Sequence, residues 1–258
     1  MIRLFSVTAW YTFLGLYHWM RPLPYLVNRF LFPLVQLAFF ALLGMYGGSQ
    51  PMSFYLVGNS IGVAASVIFG VAGAIGDERR LGTLSYILAT PAPRVPVFFG
   101  RAALHLVDGV INMAVAFAFA MLVFGLRIDL AGLAGLFAAM LVGTIAVCGV
   151  GLLLGSVALV LLDAVILANW AMFILLMLTG MNIPLNELPG FAAAIAEVLP
   201  LTRSIAAARL YAAGAPIDAG LGLLAGDLAL GAIYAIAGYA VFTWLETQAR
   251  RQGRLEGV

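Results

Sequence analysis

The chain has 258 residues, of which 64% are hydrophobic and only 9% are charged, with a formal net charge of +2. Soluble domains carry about 25% charged residues, so the composition excludes a separate soluble domain and predicts an all-α integral membrane protein. The single cysteine, Cys148, excludes an intrachain disulfide. The net charge says little by itself, and no nucleic-acid partner is expected.

The N-terminal segment, residues 1–27, mixes many aromatic side chains with Arg3, His18 and Arg21. Aromatic and basic residues in this combination settle at the headgroup level of a bilayer, so we predict an interfacial helix. A short spanning helix is the other reading, although the run Arg21-Pro22-Leu23-Pro24 would end it early.

Six apolar segments have the length of membrane-spanning helices and are separated by turns rich in glycine, proline or charge. The first two predicted spans occupy residues 30–75, the third to fifth occupy residues 96–181, and the sixth occupies residues 219–245. Residues 246–258 form a short tail.

Residues 182–217 differ from the spans because they contain four prolines and two short apolar pieces, Leu188–Leu199 and Thr202–Ala213. Each piece has about 12 residues, whereas a helix that crosses a bilayer needs about 20. Short pieces of this kind fit re-entrant helices, whose interrupted backbone must be buried against protein.

The basic residues are distributed unevenly between the two sides that six spans define. With both termini on one side, ten of the 13 arginines lie there, together with residues 76–94. The positive-inside rule makes that side cytoplasmic, so residues 182–217 face outward. We therefore expect a multi-pass protein of a bacterial inner membrane with both termini in the cytoplasm. The outward side holds Arg127, Arg203 and Arg209.

The cluster of charge between the second and third spans has two readings. Asp77, Glu78, Arg79 and Arg80 precede leucines at helical spacing, and a run from Thr90 to Pro93 ends the predicted helix. Charge alone favours an ordinary solvated loop that carries positive-inside residues. The other reading is an exposed helix that contacts a partner.

Four polar side chains fall within the predicted spans: Asp108, Asn112, Asn169 and Asp227. One reading gives them a role in a cavity or gate, since ionisable groups inside a membrane are costly and seldom face lipid. For Asp108 and Asp227 we favour a position near the interface with a bond to a neighbouring group. For Asn112 and Asn169 we favour interhelical hydrogen bonds. No metal site is expected, because His18 and His105 are isolated.

Two motifs resemble those of the membrane subunits of ABC-2 type transporters, and the resemblance covers nearly the whole chain. The run Glu78-Arg79-Arg80-Leu81-Gly82-Thr83-Leu84, followed by Thr90-Pro91 and Gly100-Arg101, is similar to the family's pattern around its coupling helix. Pro184-Leu185, Leu188-Pro189, Leu199-Pro200-Leu201-Thr202 and Arg209 are similar to the segment before its last helix.

The resemblance implies six transmembrane helices with an N-terminal interfacial helix, a cytoplasmic coupling helix at residues 76–94 and two re-entrant helices before the sixth span. It also implies that a separate ATPase subunit, which would hold ATP and Mg²⁺, docks on this chain. The implied docking residues are Asp77, Glu78, Arg79, Arg80, Leu81, Gly82, Thr83 and Leu84.

The chain itself is expected to be neither an enzyme nor a cofactor-binding protein, because it has no G-x-x-x-x-G-K-[ST] loop for ATP. The other partners that the resemblance implies are membrane lipids and a second permease chain, either identical or different. Residues 1–30 lack the basic segment of the family's polysaccharide exporters, which leaves drugs, peptides, lipids or other hydrophobic compounds as substrates.

Two other classes of function predict features of their own. An ion-coupled secondary transporter, the alternative function, predicts inverted repeats and mid-membrane carboxylates in matching helices. Asp108 and Asp227 are a weak sign of such carboxylates, and no internal repeat is apparent. An intramembrane enzyme predicts paired acids, a Ser/His pair or an H-E-x-x-H motif within the spans, and the sequence has none.

Overall fold

The computed structural model describes residues 3, 5–8, 10–11, 27–47, 50–80, 82, 90, 93–161 and 163–252. Within these residues every regular element is a helix and no strand occurs, which confirms the all-α prediction. Helices suit an apolar chain in a bilayer because they satisfy their backbone polar groups internally.

In chain order the elements are a π-helical turn at Val27–Leu31, α1 at Phe32–Gly47, α2 at Met52–Gly62, a 3-10 segment at Val63–Ser66, α3 at Val67–Arg80, α4 at Arg94–Phe124, a 3-10 turn at Leu130–Gly132, α5 at Leu133–Leu161, α6 at Ala164–Leu178, a 3-10 turn at Leu185–Glu187, α7 at Gly190–Val198, α8 at Thr202–Ala212 and α9 at Asp218–Gln252.

Four helical stretches in the described part of the chain are long and apolar enough to cross a membrane: Met52–Gly76, Arg94–Phe124, Leu130–Leu159 and Asp218–Gln248. The helices α7 and α8 meet at a bend of 86°, and the count becomes five if this pair is one broken span. Six spans were predicted. The difference arises because α1 and α6 are apolar but have only 16 and 15 residues.

Proline and left-handed residues set several helix ends. Pro51, Pro93 and Pro189 each precede the first turn of a helix, where the missing N–H of proline has no consequence for the helix. Gly125 ends α4 with a φ of +68°, a conformation that glycine adopts without steric cost. Leu201, with a φ of +74°, forms the sharp corner between α7 and α8.

The bundle has two ends that are recognisable from contacts between distant segments. At the first, called the Arg94 end, Arg94 forms a salt bridge with Glu246, with Nη2 2.8 Å from Oε1. At the second, called the α8 end, the Asp129 N–H donates to the Ala212 carbonyl at 3.4 Å. The C-terminal end of α8 therefore lies at the opposite end of the bundle from Arg94.

The centre of the bundle is α5, which packs closely against α3 and α9. Gly149 is in contact with the backbone of Gly231 in α9. On the α3 side, a Cβ built on Gly151 would lie 2.7 Å from the Cβ of Val71. Small residues at these positions let the helix backbones approach one another, which is how apolar helices associate in a membrane.

Candidate functional site

The charged run predicted to contact a partner continues the second apolar helix. Asp77, Glu78, Arg79 and Arg80 form the last turn of α3, and Gly82 follows with a φ of +69°. Glycine in this conformation is a common end for a helix. The run therefore does not begin a helix of its own at residue 76. Leu81, Thr83 and Leu84 lie outside the described residues, as does most of the predicted interfacial helix.

Both flanks of this charged segment are held at the Arg94 end of the bundle. Before it, the Ala74 carbonyl accepts a hydrogen bond from Arg101 Nη1. After it, Arg94 is paired with Glu246 of α9. A displacement of the segment would therefore act on α3, α4 and α9 together.

One face of α4 carries a row of buried polar side chains. His105 is 2% exposed and packs against Gly70 of α3, and its Nδ1 lies 3.9 Å from Asp108 Oδ2. Asn112, one turn further along, is 4% exposed. Neither its Oδ1 nor its Nδ2 has a hydrogen-bond partner among the described residues. The interhelical bond that we expected for Asn112 is therefore not formed in this conformation.

Asp227 of α9 holds the start of α8. Its side chain is fully buried, and Oδ2 accepts a hydrogen bond from the backbone N–H of Ser204 at 2.8 Å. Ser204 lies in the first turn of α8, where backbone N–H groups have no partner within the helix and the helix dipole favours negative charge. Asp227 thus caps α8 from a neighbouring helix.

Asn169 bonds within its own helix. Its Nδ2 donates to the Val165 carbonyl at 2.9 Å, and no interhelical hydrogen bond of Asn169 occurs among the described residues. Asn169 lies on an exposed face of α6 beside Trp170 and Phe173, which are 67% and 63% exposed. That face has no partner helix within the described part of the chain.

Arg209 of α8 donates hydrogen bonds to three backbone carbonyls from two other segments of the chain. Its Nη2 donates to the carbonyl oxygens of Gly180 at 2.8 Å, Met181 at 3.3 Å and Phe54 at 3.3 Å. The guanidinium carbon lies 3.5 Å from the centroid of the Phe54 ring. A planar cation can donate several hydrogen bonds and stack on an aromatic face at the same time. One side chain thus joins α8 to the start of α2 and to the segment after α6.

The contact around Arg209 depends on a glycine in α2. A Cβ built on Gly58 would lie 2.6 Å from the Met181 carbonyl oxygen and 2.8 Å from Arg209 Nη2, so a larger residue would push α2 away. Next to it, Asn59 Nδ2 donates to Asn182 Oδ1 at 2.8 Å. We call Phe54, Gly58, Asn59, Gly180, Met181, Asn182 and Arg209 the Arg209 clamp.

Sequence reasoning missed the clamp. It placed Arg209 on the outward side and in the motif before the last helix, without naming its contacts, and it gave Asn59 and Asn182 no role. A signal was present, because an arginine within a short apolar helix must find several acceptors if it is not to be left unpaired in an apolar environment. No group of three His, Cys, Asp or Glu side chains suited to a metal ion occurs within the described residues.

A sequence profile of the family described as ABC-2 type transporter matches residues 3–211. The chain belongs to the ABC-2 type transporter family. The match spans both motifs that carried the resemblance and reaches from the N-terminal segment into α8. A search of curated proteins gave no match. This ABC-2 chain is therefore a multi-pass membrane subunit of a transporter.

Proposed function

We propose that this ABC-2 chain is the permease subunit of an ATP-driven exporter. The family match over residues 3–211 is the observation that carries the proposal. A separate ATPase subunit binds ATP and Mg²⁺, and two permease chains, identical or different, form the pathway between them. The substrate is a hydrophobic compound such as a drug, a peptide or a lipid.

In the proposed membrane layout the six spans are α1, α2 with α3, α4, α5 with the turn before it, α6 and α9. The short helices α1 and α6 cross by thinning the bilayer locally or by adding flanking turns. The Arg94 end, both termini and residues 76–94 face the cytoplasm, and α7 and α8 are re-entrant helices on the outer side. The separation of α8 from Arg94 at opposite ends of the bundle supports this layout.

The charged segment at residues 76–94 is the proposed docking site for the ATPase. Closure of two ATPase subunits on ATP would displace the segment and shift the permease between inward-facing and outward-facing states. The contact of Arg101 with Ala74 and the pairing of Arg94 with Glu246 support this role, because they connect the segment to three helices at once.

The proposed roles of the polar side chains within the helices differ. Asp227 stabilises α8 through Ser204. Asn169 lies on an exposed face of α6, which the second permease chain would cover. Asp108 is partly exposed and lies beside the buried His105. We propose that it stabilises the position of His105 on α4 near the cytoplasmic side.

The proposal is tested by isolating the tagged chain from the membranes of its host and determining whether an ATPase subunit is isolated with it. We expect the two to co-purify, and we expect hydrophobic substrates to stimulate ATP hydrolysis by the reconstituted complex. Substrate transport driven by an ion gradient without nucleotide, from a chain that binds no ATPase, would instead identify a secondary transporter.

A further inference from the structure

The second apolar helix changes its winding in the middle. Its outer half, α2, ends at Gly62, and its inner half, α3, begins at Val67. Residues Val63–Ser66 between them are wound as a 3-10 helix, and Ser66 Oγ donates to the Val63 carbonyl at 2.8 Å. A stretch of 3-10 helix inside an α-helix often marks a hinge.

The two halves are packed against different parts of the molecule. The outer half belongs to the Arg209 clamp, because Gly58 lies against Arg209 and Gly62 lies against the Met181 side chain. The inner half packs on α5, where a Cβ built on Gly155 would lie 2.9 Å from the Ala72 carbonyl oxygen. It then continues into the charged run that ends at Arg80. A change of winding at Val63–Ser66 therefore separates the half that is attached to α8 from the half that leads to the ATPase.

Asn112 of α4 lies at the level of this junction. The helices α3 and α4 are antiparallel neighbours, since His105 packs on Gly70 and a Cβ built on Gly109 would lie 2.8 Å from Val67 Cγ2. Asn112 follows His105 by seven residues and Gly109 by three, so the three share a face of α4. One further turn along the same pairing brings Asn112 opposite the 3-10 segment.

The buried Asn112 amide has a full set of donors and acceptors and no partner among the described residues. Buried amides without partners are rare in native proteins, because the lost hydrogen bonds to water are not replaced. If the segment opens at this point, the 3-10 hydrogen bonds of Val63–Ser66 break and leave backbone N–H and carbonyl groups beside Asn112 without partners.

We propose that Val63–Ser66 is a hinge in the transport cycle and that Asn112 bonds its freed backbone groups in the alternate conformation. The inference rests on the proposed function, since the alternate conformation is the other state of the permease. Asn112 acts as a positioning residue: its unsatisfied amide disfavours the conformation described and its new bonds favour the other one.

The test compares Asn112→Leu with Ser156→Ala in the complex of the permease and its ATPase, reconstituted in lipid nanodiscs. Ser156 is also fully buried, but its Oγ already donates to the Leu152 carbonyl in its own helix at 2.9 Å. We expect N112L to raise Tm by about 2–4 °C, to slow hydrogen exchange of residues 63–67, and to lower substrate-stimulated ATP hydrolysis roughly tenfold. S156A is expected to leave exchange and hydrolysis close to wild type.

Retention of full stimulation by N112L would overturn the hinge, and so would an unchanged or lower Tm or an unchanged rate of exchange. A wild-type complex that shows no stimulation would contradict the proposed function instead. In that case Tm and hydrogen exchange still decide whether Asn112 opposes the conformation described.

Discussion

Arg209 and Phe54 are 155 residues apart in the chain, yet the guanidinium of the first lies over the ring of the second, 3.5 Å from its centroid. The same guanidinium reaches the carbonyls of Gly180 and Met181. Three separate segments therefore meet at one cation at the α8 end of the bundle, and the position of α8 depends on it.

Replacement of Arg209 tests this dependence. Hydrogen bonds to charged groups contribute about 1.5–3 kcal/mol each, so we expect Arg209→Met to lower the free energy of unfolding by about 3 kcal/mol, measured by thermal denaturation of the purified chain. Arg209→Lys should recover only part of this loss, because an ammonium cannot stack and fork in the same way.

The matched control for Arg209 is Arg203→Met. Arg203 lies in the same helix, but its Nη1 donates to a single carbonyl, that of Glu197, at 2.7 Å. Because this bond is exposed to solvent, its loss should cost roughly 1 kcal/mol. If the two substitutions lower the free energy of unfolding equally, the contacts of Arg209 stabilise the fold no more than the single bond of Arg203.

Gly58 provides a steric test of the same contact. We expect Gly58→Ala to destabilise the fold by about 1–3 kcal/mol, because the added methyl group would meet the Met181 carbonyl oxygen at 2.6 Å. Gly222→Ala in α9 is the control, since nothing lies within 4 Å of a Cβ there. A Tm for Gly58→Ala equal to that of the control would contradict the close packing.

Two substitutions of Asp227 distinguish a structural role of its side chain from a role of its charge in transport. Asp227→Leu removes the acceptor for the Ser204 N–H and should cost about 1–2 kcal/mol, the usual value of a helix cap. Asp227→Asn keeps a carbonyl oxygen that can accept this bond, so we expect near-normal Tm and transport. Loss of transport by Asp227→Asn at normal Tm would show that the charge itself is used, as in an ion-coupled carrier.

The sequence predicted the helical class and the two short helices with their prolines, because apolar length and helix-ending residues are local properties. It predicted six spans, whereas four helices in the described part of the chain are long enough to cross a membrane. It could not predict that Asp227 caps Ser204 or that Arg209 stacks on Phe54, since those pairs meet only after the helices pack. The 3-10 segment Val63–Ser66 was also missed, because its four residues are compatible with an ordinary α-helix.

We expect the charged run at the end of α3 to pass the conformational change of the ATPase, driven by ATP hydrolysis, to the membrane helices. Glu78→Ala or Arg80→Ala should lower transport-coupled ATP hydrolysis without preventing membrane insertion, because both belong to the proposed docking segment. Arg127→Ala, at the α8 end, is the control and should leave coupling unchanged. Full coupling in both docking variants would refute the assignment of this segment.

The orientation of the chain and its docking site are tested most directly by cross-linking single cysteines to the ATPase subunit. The buried Cys148 is first replaced by alanine, so that each variant carries one cysteine. A cysteine in place of Glu78 should cross-link to the ATPase, whereas a cysteine in place of the exposed Glu197 should not. A cross-link from position 197 and none from position 78 would contradict both the orientation and the docking site.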